Sequence, residues 1–427
     1  MEMTSGMNQE LLCANQDRIQ AWLDGINAFN DTPGDGVTRQ YLTDSEWNAR
    51  LYIQEEMKKL GLEVAMDCMG NVRGTLPGSE PELAPVWTGS HFDTVLHGGQ
   101  FDGAAGCVAG MEALRLIKEA GIPHRRSITT IAYSAEEPAR FGIGCIGSRA
   151  MAGVLDVPGL KHFKDKDGKS IYEELKRRGL DPDAIGDLKV GPEDVFCSLE
   201  LHIEQNSVLE QNHKPVGIVK AICAPLNLLV TVTGVTAHAG GMPMTDRKDA
   251  YAAACEMALS LEKIVRENTL SEYCTGTVGE VHVYPNVANV IPGRCEFTVD
   301  IRDCSRESML ALDDEVHRSF MEIAARRGVG VEIRFQNSDV PVSCDPVLMD
   351  LFEQYADASG YEHMRLMSGA FHDSLFVGKF AKIGMLFVPS RDGLSHCPEE
   401  WTDVADITAA TSVLACALAD VANRDAL

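Results

Sequence analysis

A set of histidines and carboxylates constrains the fold of this chain more than any other feature. These residues are spread over about three hundred positions, each beside an apolar or glycine-rich run, and they are His91, Asp102, Glu136, Glu137, His202 and His396. Residues so far apart meet only if the fold gathers the ends of several strands at one edge. The spacing therefore favours an open α/β sheet, in which active sites form at the carboxyl ends of the strands. Three imidazoles and two or three carboxylates are also what a pair of divalent metal ions needs.

The composition indicates a globular protein of two domains. The chain has 427 residues, of which 45% are apolar and 24% charged, and this length exceeds what a single core usually holds. The formal net charge of −25 argues against a nucleic acid or an anionic membrane as partner, because both select basic surfaces. It leaves the charge of a small-molecule substrate open, since a cleft can differ in charge from the whole protein.

The sequence predicts a cytoplasmic location. Segment 1–10 (MEMTSGMNQE) lacks the basic stretch and apolar core of a secretory signal, and we expect no apolar run long enough to span a bilayer. The 13 cysteines are odd in number, dispersed and without a Cys-x-x-Cys pair. This pattern is typical of buried thiols in a reducing compartment rather than of a disulfide framework or a zinc cluster.

Strand and helix patterns predict an α/β catalytic domain with a second domain inserted into it. Apolar runs at 84–90, 127–134, 196–202 and 383–389 are typical of buried strands, with a helix at about 107–120 between the first two. This order predicts a mixed, mostly parallel sheet flanked by helices. We expect the charged segment 155–195 to be a surface excursion.

Between 216 and 337 the pattern changes to β-α-β-β-α-β, the order of a compact ferredoxin-like α+β module. We interpret this stretch as the inserted domain. The predicted catalytic domain then consists of 1–215 and 338–427.

Each candidate metal ligand has a structural alternative when it is considered alone. His91 in GSHFDT could be a strand-end histidine beside a surface Asp93, and Asp102 in GGQFDGAAG could be a bare Asp-Gly turn. Glu136 and Glu137 could form a solvated acidic turn, although two carboxylates at the end of an apolar strand are costly unless they are paired or metal-bound. With the histidines of ELHIEQ and SHCPEE, these residues make up a complete ligand set for a two-metal hydrolase.

In this interpretation Asp93 holds the second ring nitrogen of His91. One of the adjacent glutamates binds metal while the other acts as general base on a water molecule. Nitrogen and oxygen ligands without thiolate suit manganese, zinc or cobalt, and we expect two manganese ions per subunit.

The motifs around these residues resemble the amidase/carbamoylase branch of the M20 metallopeptidases over nearly the whole chain. The similar segments are GSHFDTVLHGGQFDGAAGCVAGMEAL, EEPARFGIGCIGSRAMAG, ELHIEQ, TAHAGGMPMTDRKDA, SGAFHDSLF and the stretch around His396. The resemblance implies a bridging Asp102, one metal site completed by His91 and His202, a second completed by Glu137 and His396, and Glu136 as general base.

The resemblance also implies a set of substrate residues: Gln205, His238, Asn289, Arg302 and Gly369. The planar guanidinium of Arg302 suits a carboxylate, but it could instead pair with Asp300 or Asp303. His238 could donate to an oxyanion or be a capped loop histidine, and Asn289 could be a turn residue before Ile-Pro. Family members are homodimers through the inserted domain, so His238 would reach the partner's active site and the domain would act as a lid.

The resemblance implies hydrolysis of a ureido C–N bond in a small acid. Pro138 after the paired glutamates, together with AFHDSLF, GMLFVPS and SHCPEEW, favours ureidoglycolate as the substrate, with release of ammonia. The run SGA resembles instead the N-carbamoyl-L-amino acid hydrolases and allantoate amidohydrolases, which are the nearest alternatives. An M20 exopeptidase and an inactive dimeric binding protein are more distant ones, against which ELHIEQ and the intact Glu136 argue.

Overall fold

The structure is a computed structural model that describes residues 11–427, so segment 1–10 and the prediction that it is no secretory signal lie outside the described residues. The helices, numbered in chain order, are α1 (Gln16–Asn27), α2 (Asp44–Lys59), α3 (Ala104–Glu119), α4 (Ile146–Met151), α5 (Val157–His162), α6 (Ile171–Arg177), α7 (Val208–Gln211), α8 (Ala250–Glu267), α9 (Arg306–Arg327), α10 (Pro346–Ala358), α11 (Ser374–Val377) and α12 (Val404–Val421). The strands are β1 (Glu63–Met66), β2 (Val72–Leu76), β3 (Val86–His91), β4 (Ile128–Tyr133), β5 (Cys197–Ile203), β6 (Val216–Ile222), β7 (Ala224–Thr233), β8 (Ala237–His238), β9 (Cys274–Tyr284), β10 (Val290–Ile291), β11 (Arg294–Asp303), β12 (Gly330–Ser338), β13 (Val342–Ser343), β14 (His363–Ser368) and β15 (Lys382–Val388).

The chain divides into two compact units. The first consists of the chain up to Lys220 together with Cys344–Leu366 and His372–Leu427. The second consists of Ala221–Ser343 and the short stretch Met367–Phe371.

A mixed sheet forms the centre of the first unit. Its strands lie side by side in the order β1-β2-β4-β3-β5-β15-β6. β3 is parallel to β4 and β5, and β15 is parallel to β5, whereas β1, β2 and β6 pair antiparallel with their neighbours. The four central strands are therefore parallel, and their carboxyl ends lie at one edge of the sheet.

Burial explains why these runs form the central strands. Every residue of β3, β4 and β5 is buried, which requires a nearly continuous apolar run because a parallel sheet is covered on both faces. Helix α3, which is buried almost all round, packs against these three strands. The predicted fold class, a mostly parallel sheet flanked by helices, is confirmed.

One helix among the described residues, α12, is long and apolar enough to cross a membrane by length and composition alone. Its mean hydropathy is 1.6 over 18 residues, which corrects the expectation that no apolar run reaches this length. However, 78% of the window is buried inside the protein, where α12 packs against α1, α3 and α10. This is the environment of a core helix.

Segment 155–195, which we expected to be a surface excursion, forms short helices of its own. It contains α5, α6 and the 3-10 helix Pro182–Leu188, and α6 begins with a capping box between Ser170 and Glu173. Four of its apolar side chains are buried in a separate hydrophobic cluster: Leu160, Ile171, Leu175 and Ile185. The lysines and aspartates around these positions hide the short helical pattern in the sequence.

The second unit is built on a four-stranded antiparallel sheet with the order β12-β7-β11-β9. Along β7 and β11 buried residues alternate with more exposed ones, and the buried ones pack with α8 and α9 in one core. Large apolar side chains remain exposed elsewhere on this unit, among them Leu259, Val281 and Phe335. Elements β7, α8, β9, β11, α9 and β12 follow one another in the β-α-β-β-α-β order.

Candidate metal centre and active site

The carboxyl ends of the four central strands carry most of the predicted site. His91 is the last residue of β3, and His202 is the last but one of β5. Glu136 and Glu137 follow β4 after a short turn, and His396 lies in the loop between β15 and α12. Because these strands are parallel neighbours, all five side chains arise at one edge of the sheet.

Three side chains form a first group of candidate metal ligands: His91, Asp102 and His202. Asp102 Oδ1 lies 3.2 Å from His202 Nε2 and 3.5 Å from His91 Nε2. All three residues are buried.

A second group shares Asp102 and adds Glu137 and His396. His396 Nε2 lies 3.1 Å from Asp102 Oδ2 and 3.2 Å from Glu137 Oε1. Glu137 is buried, whereas 48% of the His396 side chain is exposed. The two groups use different oxygens of one carboxylate, as expected for a carboxylate that bridges the ions of a two-metal site.

Hydrogen bonding in the first group shows that it fits a cation. The Nδ1 atoms of His91 and His202 lie 3.2 and 2.9 Å from the carbonyl oxygens of Asp93 and Ile203. Each Nδ1 is therefore turned toward a backbone acceptor, and each Nε2 faces Asp102, where it can hold either a proton or a metal ion. The two Nε2 atoms are 3.3 Å apart, beside Asp102 Oδ1, which is buried without a hydrogen-bond partner in the part of the chain that the structure describes. Such a set of acceptors calls for a cation, and imidazole and carboxylate donors suit manganese, zinc or cobalt.

The electrostatics of the site point the same way. Burial lowers the pKa of His91, but the charges of Glu136, Asp102 and Asp93 outweigh burial and leave that pKa well above its usual value. Burial raises the pKa of Glu136 well above its usual value; His91 opposes this shift and Glu137 adds to it. The negative field attracts a cation, and burial gives the Glu136 carboxyl group a high affinity for a proton.

Asp93 has other contacts than the one predicted from the sequence. Its backbone carbonyl oxygen, at 3.2 Å, is closer to His91 Nδ1 than its carboxylate, at 3.6 Å. The carboxylate oxygens accept the backbone N–H groups of Glu136 and Glu137 at 3.2 and 3.1 Å. Asp93 thus positions the two glutamates by its side chain and His91 by its backbone.

Several residues of the site have a left-handed backbone conformation, which is uncommon outside glycine. The angle φ is +53° at Ala135, +57° at Gln205 and +59° at His396. At Gly103 φ is +62°, and a β-carbon there would lie 2.4 Å from the ring of His91. Strained conformations of this kind collect at functional sites, where the surrounding structure holds them in place.

Gln205, which the resemblance assigns to the substrate, lies against the candidate ligands. Its Nε2 donates to Asp102 Oδ2 at 2.9 Å and lies 3.4 Å from His396 Nε2. The side chain therefore contacts two members of the second group, and its role toward a substrate stays a prediction.

In the second unit, His238 ends β8, and Asn289 directly precedes β10, the strand with which β8 forms a short ribbon. The carbonyl of Asn289 accepts the backbone N–H of Ala239 at 2.9 Å. His238 Nδ1 accepts the N–H groups of Gly240 and Gly241, both at 3.1 Å, so Nε2 carries the ring proton. The exposed His238 side chain is thereby held as a hydrogen-bond donor, the state that stabilisation of an oxyanion requires.

Arg302 and Gly369 also lie together in the second unit. Arg302 Nε donates to Asp300 Oδ1 at 3.1 Å, and Nη1 donates to the carbonyl of Gly369 at 3.4 Å. The ion pair with Asp300, one of the alternatives open from the sequence, is thus present, whereas the carboxylate of Asp303 accepts the N–H of Ser305. The Arg302 side chain remains 32% exposed, so part of the guanidinium is accessible from solvent beside Asp300.

Two buried residues next to the candidate ligands were missed in the sequence. Glu400 accepts hydrogen bonds from both ligand-bearing loops. The ring centroid of His372 lies 4.4 Å from that of His202, and burial lowers the pKa of His372 well below its usual value. Glu400 stands in an acidic run that looks solvated, and His372 follows a loop. Glu400 belongs to the SHCPEE motif and His372 to the SGAFHD motif, and this membership is their only signal in the sequence.

Comparison with known proteins identifies the family. Residues 75–420 match the model of peptidase family M20/M25/M40. The chain is 36% identical to ureidoglycolate hydrolase of Oryza sativa subsp. japonica over 409 residues, which cover 95% of this chain and 84% of the relative. It is 37% identical to N-carbamoyl-L-amino-acid amidohydrolase of Paenarthrobacter aurescens over 401 residues, or 94% and 97% of the two chains. It is 32% identical to allantoate amidohydrolase of Bacillus subtilis (strain 168) over 392 residues, or 92% and 94%.

A solved structure has the same fold. The amidase of the hydantoinase/carbamoylase family from Burkholderia multivorans superposes with a TM-score of 0.89 at 34% identity, over 97% of this chain and 99% of that one. The resemblance found in the sequence motifs is confirmed. The chain therefore belongs to peptidase family M20/M25/M40 and is an amidohydrolase.

Proposed function

We propose that this protein hydrolyses the ureido C–N bond of a small N-carbamoyl acid, with ureidoglycolate as the best candidate substrate and ammonia as a product. The observation that carries the proposal is the pair of ligand groups that share Asp102, beside the buried carboxyl group of Glu136. The names of three relatives support it, because ureidoglycolate, N-carbamoyl amino acids and allantoate all carry a ureido group next to a carboxylate.

Glu136 has the central chemical role in this proposal. Two divalent ions, with manganese as our first choice, supply Lewis-acid polarisation of the carbamoyl oxygen and acidify water when bound. Glu136 takes a proton from the attacking water and passes it to the leaving nitrogen. As water adds to the carbamoyl carbon, the bond to the terminal nitrogen breaks and ammonia leaves. The remaining carbamate then decomposes to carbon dioxide and an amine.

Five residues contact the substrate in this proposal. Arg302 binds the carboxylate and so orients the carbamoyl carbon, and Nε2 of His238 donates to the oxyanion. Asn289, Gly369 and Gln205 provide further polar contacts.

Arg302→Lys should raise KM for the ureido acid by about 10- to 100-fold, the effect of losing a charged hydrogen bond worth about 1.5–3 kcal/mol. Lysine keeps the charge but lacks the planar fork. Initial rates of ammonia release measure the effect, with the exposed Arg334 of β12 replaced by Lys as the matched control. An unchanged KM would mean that Arg302 serves only its ion pair with Asp300.

The direct test of the function compares substrates. Manganese-loaded protein is assayed for ammonia release with ureidoglycolate, allantoate and several N-carbamoyl-L-amino acids in parallel. We expect the highest kcat/KM with ureidoglycolate. Turnover of none of them by protein that holds metal would refute the ureido proposal, and dipeptides and simple amides would then be tried.

An N-carbamoyl-L-amino acid or allantoate is the second candidate substrate. The chain is 37% identical to the N-carbamoyl-L-amino-acid amidohydrolase and 36% identical to the ureidoglycolate hydrolase. These identities are too similar to favour one substrate. All metal-site residues would keep their roles. Dipeptide turnover would instead favour an exopeptidase, and metal binding without any turnover would favour an inactive binding protein.

We propose that the protein is a homodimer through the inserted domain, 216–337, which also serves as a lid, and that His238 acts in the partner's active site. His238→Ala and Glu136→Ala should each be inactive as homodimers. If His238 acts across the dimer, a mixture of the two that exchanges subunits should recover about a quarter of wild-type activity. Half of the dimers are then mixed, and each mixed dimer has one intact site of two. No recovery in a mixture shown to contain mixed dimers would place His238 in its own subunit's site.

We further propose a cytoplasmic location without nucleic-acid or membrane partners. All thirteen cysteines fall within residues 11–427 and none forms a disulfide there, which suits a reducing compartment. Cell fractionation tests this proposal.

A further inference from the structure

The loop that carries His396 is closed at its base but exposed where its ligand lies. The backbone N–H of Arg391 donates to the carbonyl of Trp401 at 2.8 Å, which ties the two ends of loop 391–401 together. His396 itself has a left-handed backbone and is the most exposed of the candidate ligands. Its position therefore depends on contacts made within the loop rather than on burial.

Glu400 provides such contacts. Its side chain is only 2% exposed. Oε1 accepts the backbone N–H groups of Phe101 and Asp102 at 2.9 and 3.0 Å, and Oε2 accepts the hydroxyl of Ser395 at 2.7 Å. One buried carboxylate thus joins the backbone of the shared ligand Asp102 to the residue that precedes His396.

The loop before Asp102 is shaped around this carboxylate. A β-carbon at Gly99 would lie 2.0 Å from both Cδ and Oε1 of Glu400, so no larger residue fits while Glu400 keeps its place. The ring of Phe101 packs edge-on against Trp401, with centroids 5.4 Å apart. The segment 99–102 and the loop 391–401, which are distant in sequence, therefore pack against each other at Glu400.

The two histidines of the first ligand group do not use this support. His91 and His202 are fixed by their strands and by the contacts of their Nδ1 atoms with backbone carbonyls. Both are buried. Loss of Glu400 should leave them in place.

We propose that Glu400 is a positioning residue that holds Asp102 and the His396 loop in the geometry needed for the second of two metal ions. This inference rests on the proposed two-metal function. It predicts that the protein without the Glu400 carboxylate keeps one ion and binds the other weakly. Supporting residues of this kind change metal affinity by about 10- to 100-fold.

The test measures metal binding directly. Glu400→Ala, Glu400→Gln and wild type are freed of metal and titrated with Mn²⁺, and free Mn²⁺ is followed by electron paramagnetic resonance. We expect two ions per wild-type chain, and in Glu400→Ala one tight ion and a second bound about 10- to 100-fold more weakly. Gln should recover part of the loss, because its amide oxygen can still accept the two N–H groups. The exposed neighbour Glu399, replaced by Ala, is the matched control.

Two further measurements separate positioning from general stability. The Tm of the metal-free protein should be close to that of wild type, while the rise in Tm on adding Mn²⁺ should be smaller. Gly99→Ala, which displaces Glu400 without altering it, should give the same partial loss of metal. Two ions bound at wild-type affinity in Glu400→Ala would overturn the inference, as would loss of both ions together with a large fall in the metal-free Tm. A wild type that binds two ions but turns over no ureido acid would instead refute the proposed function and leave this result standing.

Discussion

Replacing Glu136 by Gln should lower kcat for ammonia release by about 100- to 10,000-fold, the contribution that a positioned general base makes. Gln has the same shape but cannot take up a proton. Glu136 belongs to neither three-ligand group, although its Oε2 lies 3.9 Å from His91 Nε2. The variant should therefore keep both metal ions and a normal KM, which metal analysis and initial-rate kinetics can measure.

The neighbouring residue offers a matched comparison. Glu137 lies 3.2 Å from His396 Nε2 and belongs to the second ligand group, so Glu137→Gln should weaken metal binding. Two identical substitutions at adjacent positions should thus give different defects, in proton transfer at one and in metal content at the other. A Glu136→Gln enzyme with near wild-type kcat would require another base, and a Glu136→Gln protein without metal would make Glu136 a ligand.

Much of the site could be predicted because a buried parallel strand ends where its apolar run ends. The runs before His91 and Glu136 are covered on both faces, so the first charged residue after each must lie at the sheet edge or be costly to bury. The shared edge then follows from the topology, and the sequence needs no further signal to bring these residues together.

The supporting contacts could not be predicted, because they join side chains to distant backbone. The carboxylate of Asp93 accepts N–H groups of residues more than forty positions away, and Glu400 does so across about three hundred. Propensity and periodicity carry no information on such pairs. In segment 155–195 the few buried apolar positions are too widely separated by charged residues to form a clear helical pattern. For Arg302 the sequence left an ion pair and a substrate contact open, and the structure shows the ion pair with Asp300.

Asp102→Asn should abolish binding of both metal ions and lower kcat/KM by more than about 1,000-fold, because it removes the only charge that both ligand groups share. Asp102 Oδ1 faces His91 and His202, and Oδ2 faces His396. The Asn side chain has the same size, but its neutral amide offers one oxygen instead of two. Its NH2 group would also point toward one set of imidazole nitrogens, where it would compete with the cation.

Metal analysis and the rise in Tm on adding Mn²⁺ both report on this variant, and the rise should disappear because it depends on metal binding to the folded state. Asp35, whose exposed carboxylate pairs with His97, is the matched control for an Asp→Asn change far from strand ends. Glu400→Ala provides a second comparison. If Asp102 bridges the ions and Glu400 only positions it, the Asp102→Asn protein must lose both ions, whereas the Glu400→Ala protein binds only one of them more weakly. An Asp102→Asn protein that still holds one ion tightly would show that the two ligand groups are independent sites rather than a bridged pair.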